Sequence, residues 1–260
     1  MGPRMAHLTQ RETAGSWLRR WCGLAALVCA LVPVSTPSPP PRRIVLWAWE
    51  RPEDLRFLAP HQADVSFLAA TIELTQESFF VRPRHQPLYL PPGVRPRATV
   101  RIEMRQRALL TQVPAELRRQ VVERLVATAR DVDAAALQID FDAGESEHEA
   151  YLALLEDLRA HLPASLPLSI TALTSWCAPD MWLARAPVDE VVPQLFRMGP
   201  EAEAWQSRAS RGLPRPCGQS VGLAVDEWQQ PPPGVPTLYL FNPRPWTAAT
   251  FTEALARLSP

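Results

Sequence analysis

Short apolar, β-branched runs recur along the chain and alternate with stretches in which apolar side chains return every three or four residues. The first pattern predicts strands and the second amphipathic helices. Ile44 to Trp49 (IVLWAW) opens the strand series. Asp64 to Ala70, Ala98 to Glu103, Ala135 to Asp142, Leu166 to Leu173, Val188 to Phe196, Ser220 to Val225 and Thr237 to Phe241 continue it. Pro114 to Arg130 predicts a helix with Leu117, Val121, Leu125 and Val126 on one face. Ser146 begins another as N-cap, with Glu149 three residues on as a capping box and Tyr151, Leu154, Leu155 and Leu158 on its apolar face. A short helix around Asp180 to Arg185, a polar one over Glu201 to Ser210 and a closing one over Thr247 to Leu258 follow. Eight strands with helices between most of them predict an α/β fold, a parallel sheet closed as a single (β/α)8 TIM-type barrel. Thr75 to Pro96, with VRPRHQPLYLPPG inside it, has no helical period and predicts extended chain and turns.

The first residues carry a different pattern. Arg19 and Arg20 precede an apolar run from Trp21 to Val34, and STPSPPPRR follows. A basic start, a short apolar core and a small-residue exit predict a secretory signal peptide. The run is short for a membrane span, which needs about 20 residues. Ser35 or Thr36 is a plausible cleavage point, but no A-x-A site is present, so an uncleaved N-terminal anchor stays open. Residues 1–42 are therefore read as signal or anchor plus a Pro-rich linker, and 43–260 as the barrel. The expected location is exported, either periplasmic or extracellular, with membrane contact only through an uncleaved leader.

Composition removes several classes. The 27 basic and 27 acidic residues cancel, which argues against nucleic-acid binding by bulk charge. Every basic residue is Arg; with no Lys there is no Schiff-base chemistry and no Walker-A loop. No GxGxxG occurs, so a dinucleotide site is not expected. Outside the leader only Cys177 and Cys217 remain; paired or as two buried thiols, both readings stand. His61, His85, His148 and His161 show no zinc-ligand spacing with them. No metal or other cofactor is expected.

Polar residues inside strands carry the candidate chemistry. Side chains at i and i+2 share a strand face. Leu137, Ile139 and Phe141 then point toward the helices, while Gln138, Asp140 and Asp142 point into the barrel. Stacked inward carboxylates are costly unless paired or protonated, and their repulsion raises one pKa. On the third strand Arg101 and Glu103 face inward, and on the fifth Ser169 and Thr171. Arg101 is expected to hold one aspartate ionised, leaving the other with the raised pKa and the chemistry. The bland alternative is an Arg101–Asp140 pair that merely satisfies the interior. Asp140, Asp142, Glu145 and Glu103 are the catalytic candidates; Arg101, Trp49, Trp176, Thr171 and Gln138 are the substrate-binding ones. Glu50 and Asp226, just past strands, are expected to cap helices or face water. Asp189 and Glu190 begin the sixth strand, where a stability role is expected.

QIDFDAGESEHEAYLALLEDLR, LSITALTSWC and VDEVVPQLFRMG, with LWAWERPEDLRFL and VRPRHQPLYLPPG upstream, resemble a bacterial family known as domain of unknown function 3142, from about Leu46 to Gly199. The resemblance implies an exported bacterial protein with a barrel-like fold, and it assigns no activity. More remotely, the fourth strand is similar to the DxxDxDxE pattern of chitinase-like family 18 glycoside hydrolases, whose Glu is a general acid. Asp140 and Asp142 match its last two Asp, Leu137 replaces the first, and the Glu falls on Gly144, with Glu145 one place late.

Two functions are expected in competition. One is a carbohydrate-active enzyme, in which the aspartate pair positions an N-acetyl group or a water and Glu145 or Glu103 protonates the leaving oxygen. The other is a non-catalytic exported barrel that binds a glycan or envelope component. A metal-dependent hydrolase comes third, since no His clusters with the carboxylates.

Overall fold

The computed structural model describes residues 42–178 and 182–258. Eight parallel strands follow one another around the barrel: β1 (Arg43–Ala48), β2 (Asp64–Leu74), β3 (Arg97–Met104), β4 (Leu137–Asp140), β5 (Leu168–Leu173), β6 (Glu190–Gln194), β7 (Ser220–Ala224) and β8 (Thr237–Phe241). β1 pairs with both β2 and β8, which closes the sheet, so the predicted barrel is formed. The seam is thinnest between β6 and β7, where the ladder holds the single pairing Gln194 with Gly222.

Helical cover is partial. α1 (Ala115–Asp131) follows β3 and α2 (His148–His161) follows β4. α3 (Ala202–Ala209) follows β6, and α4 (Ala248–Leu258) follows β8. Their apolar faces pack on the outward strand residues, as when Leu125 and Leu155 join Val100, Ile139 and Ile170 in one buried cluster. Elsewhere loops do the covering. β2 runs four residues past its predicted end, because Phe79–Pro83 pairs antiparallel with its far half. Glu53–Asp54 and Leu88–Tyr89 add a two-residue parallel ladder, so Thr75 to Pro96 is extended chain and turns.

Arg84 ties that excursion to the barrel mouth. Its guanidinium donates to the carbonyls of Trp49 and Arg51, each at 2.5 Å, and Glu50 accepts the amides of His85 and Gln86. Glu50 is thus a loop clasp.

Two local expectations are corrected. The Ser146–Glu149 capping box does not form. Glu147 takes that part, accepting the amides of Gly144 at 2.9 Å and Leu110 at 2.7 Å, while Glu149 pairs with Arg185. The short helix after β5 is two 3-10 turns, Thr174–Cys177 and Trp182–Arg185; Asp180 and Met181 lie outside the described residues. Residues 1–41, with the predicted leader, also lie outside them. No helix among the described residues is long and apolar enough to cross a membrane.

Cys177 and Cys217 form a disulfide, with Cα atoms 5.9 Å apart. It joins the connection after β5 to the one before β7, where helical cover is thin.

Inside the barrel a small apolar cluster of Val45, Trp47, Val192 and Tyr239 is separate from the main core. Beneath it Glu190 accepts from Ser220 Oγ at 2.6 Å and Tyr239 Oη at 2.7 Å and pairs with Arg97. This network closes the lower end of the barrel, the structural place expected for Glu190.

Candidate functional site

Parallel barrels gather ligand sites at the C-terminal ends of their strands. Here that end holds a cavity of about 700 Å³, within the range of small-ligand sites. Trp47 forms part of its floor. The indole Nε1 donates to Gln138 Oε1 at 2.8 Å, and the ring tilts against Tyr239 at 5.0 Å. Gly222 makes this possible: a Cβ there would stand 2.7 Å from the Trp47 ring.

The polar side of the cavity is built by β3 to β6. Asp140 is 4% exposed. Its Oδ1 accepts from Thr171 Oγ1 at 2.7 Å and from Gln194 Nε2 at 3.5 Å. Its Oδ2 lies 3.6 Å from Arg101 Nη1. Burial pushes the Asp140 carboxyl up to about 6, against the pull of Arg101 and Thr171 and with a further push from Asp142. Asp142, two residues on, is exposed and lines the same cavity. Behind the pair, Tyr151 from α2 is wholly buried, and burial and both aspartate charges raise its phenol well above the ordinary range.

The expected division between the aspartates is therefore corrected. Arg101 approaches Asp140, yet Asp140 is the one whose carboxyl is raised. Arg101 is shared, because its Nε also stands 3.0 Å from Glu103 Oε1. A shared, part-exposed guanidinium does not outweigh full burial of the carboxyl.

The opposite side is aromatic. β8 lies four strands from β4, diametrically across the barrel, and its Phe241 lines the cavity. Phe196 stacks on Phe241 at 5.5 Å and 3°, and Trp49 meets it edge-on at 6.3 Å. Arg197 lies 5.3 Å over the Phe241 ring. Trp205 and Glu201 complete a wall on the connection after β6.

Of the nine residues singled out in the sequence, Asp140, Asp142, Arg101, Thr171 and Trp49 meet at this cavity. Four stand elsewhere. Gln138 is fully buried one layer below, where Trp47 and Thr99 use its carbonyl oxygen. Trp176 is a core residue, packed edge-on against Trp182 at 5.1 Å and His148 at 5.7 Å. Glu145 is exposed on a 3-10 turn away from the cavity, because the chain leaves the barrel mouth at Gly144. Glu103 sits beyond the cavity lining, between Arg101 and Arg105. Asp226 is near Arg197 at 3.8 Å. Among the described residues no group of three His, Cys, Asp or Glu side chains is arranged to hold a metal ion.

Gln194, Phe196, Arg197, Glu201 and Phe241 were not foreseen in the site. Gln194 had a readable signal: it is two residues past inward Val192, the same alternation that marks Asp140. Glu201 had none, because it opens the predicted polar helix and a helix end carries no strand alternation.

Residues 94–202 match the family described as "Domain of unknown function (DUF3142)". The match runs from just before β3 to the start of α3, so it holds Arg101, both aspartates, Thr171, Gln194 and Glu201; the upstream motifs around Trp49 precede it. No curated protein matches the chain. Among solved structures, the chain is similar to the Bacillus cereus spore cortex-lytic enzyme SleL, at 13% identity and a TM-score of 0.45. The likeness covers 71% of this chain and 51% of that one, about half of the SleL chain.

Proposed function

We propose that this barrel holds a carbohydrate chain in its cavity and hydrolyses it by acid–base chemistry of strand-end carboxylates. The observation that carries the reading is the division of the cavity. Asp140 ends β4 and Asp142 follows it by two residues, and an aromatic wall of Trp49, Phe196 and Phe241 stands across from them. A pyranose has apolar C–H faces and a hydroxyl edge. A ring stacked on the aromatic wall turns its edge to the carboxylates. Asp140 keeps its proton up to about pH 6 and is coupled to Asp142. Below about pH 6 Asp140 carries a proton, which its carboxyl, itself part of the cavity lining, delivers to the glycosidic oxygen, while Asp142 at the rim orients the sugar.

Export belongs to the same reading. The Cys177–Cys217 disulfide supports an oxidising compartment, periplasmic or extracellular, as does the basic-then-apolar leader in the sequence.

A second reading has its own observation. Gly144 stands where the family 18 pattern has its acid, and Glu145 is off the cavity. A barrel that kept the groove and lost cleavage would bind glycans only. The test is a panel of labelled hexasaccharides of glucose, N-acetylglucosamine and mannose, followed by chromatography and by calorimetry. Cleavage of one or more supports the hydrolase. Binding without cleavage selects the binding protein. Neither binding nor cleavage contradicts both.

A further inference from the structure

We propose that Glu201 is the water-activating carboxylate of this site, facing the aspartates at the end of β4 from the connection after β6; this rests on the hydrolase reading above. Among the described residues three carboxylates line the cavity: Asp140, Asp142 and Glu201. The two glutamates favoured by the sequence, Glu103 and Glu145, do not.

Glu201 occupies the N-cap position of α3, where a carboxylate commonly bonds to free amides of the first turn. It makes no such bond. Its Oε2 instead accepts from Trp205 Nε1 at 3.1 Å. Trp205 is itself 9% exposed and carries the Arg208 guanidinium 4.7 Å over its ring, so the donor is fixed and fixes the carboxylate. Oε1 has no hydrogen-bond partner among the described residues and is left for a ligand or a water.

The loop that delivers Glu201 is held in a costly path. Arg197 has φ +54° and Gly199 +67°. A non-glycine residue there costs on the order of 1 kcal/mol or more. The Arg197 amide donates to Glu227 Oε2 at 2.7 Å and its guanidinium rests on Phe241, which offset that cost. A strained turn retained beside a cavity is a feature of functional sites.

In the reaction, water attacks the anomeric carbon while its proton passes to Glu201. The anomeric C–O bond breaks, and the leaving oxygen takes the proton held by Asp140. Glycoside and water become two sugars, and the proton on Glu201 returns to Asp140 through solvent. The product has inverted configuration.

The test uses the hexasaccharide that the wild type cleaves fastest. Glu201→Gln is expected to lose at least about 100-fold in kcat with KM little changed. Glu201→Ala is expected to regain rate in sodium azide and release a glycosyl azide, since azide replaces the activated water. A merely structural role for Glu201 would not respond to azide. Glu201→Gln within about threefold of wild type, while Asp142→Asn is disabled, overturns the Glu201 role and leaves the hydrolase standing. Loss without azide rescue, or a product of retained configuration, also overturns it. A wild type that cleaves nothing on the panel overturns the hydrolase reading and the Glu201 role with it.

Discussion

The Thr171 hydroxyl donates to Asp140 Oδ1 at 2.7 Å, joining β5 to β4 at the mouth of the barrel. This bond favours the ionised carboxylate, yet burial keeps the group protonated up to about pH 6, well above its ordinary 3.8. The folded protein therefore binds the proton more tightly than the unfolded chain. Its stabilising contribution is complete below about pH 4 and is lost as pH rises through about 6. The cost at neutral pH is about 3 kcal/mol on the scale of 1.36 kcal/mol per pKa unit. Asp140→Asn keeps the shape and removes the charge. Urea denaturation at pH 4, 5, 6 and 7 should show wild-type stability falling across that window and the variant without this loss. The variant should be the more stable protein at pH 7 and inactive. Equal pH dependence in the two proteins would contradict the assignment.

The two tryptophans singled out in the sequence should separate cleanly. Trp176 is 6% exposed in an aromatic core cluster. Its replacement by Ala should cost about 3–5 kcal/mol in stability. Trp49 lines the cavity beside Phe241. Trp49→Ala should weaken oligosaccharide binding about tenfold with a much smaller stability loss. Thermal melts and calorimetry on both variants check this, and a reversed pattern would move the aromatic wall elsewhere.

The disulfide closes a separation of 40 residues. On the chain-entropy account a loop of that size is worth about 4 kcal/mol. The double variant Cys177→Ser, Cys217→Ser should lose stability of that order. Thiol labelling of the denatured wild type, purified without reductant, should find neither of these two cysteines free. Both reacting as free thiols would remove the bond from the native protein.

Periodicity made the barrel legible because strands and helices repeat, and period-two alternation brought Asp140, Thr171 and Arg101 to the same end of it. The same alternation overreached at Gln138, since an inward side chain one step deeper belongs to the packed interior. It said nothing of Glu145, because the chain turns away at Gly144. The aromatic wall was half legible: Trp49 and Phe196 close predicted strands, but Glu201 and Trp205 come from the segment after β6, whose path depends on Arg197 and Gly199. The balance at Asp140 was illegible too. Burial prevails over Arg101 because Asp140 sits in the closed interior, a depth that spacing does not encode.

Asp142 is the exposed member of the aspartate pair and stands at the rim of the cavity. The central claim is that this carboxylate takes part in cleaving a glycan. The direct measurement is kcat on the best-cleaved hexasaccharide, at pH 5.5, for wild type and for Asp142→Asn shown by circular dichroism to be folded. A drop of at least about 100-fold in the variant, with binding retained, is the expected result. Equal turnover in the two proteins would contradict the account.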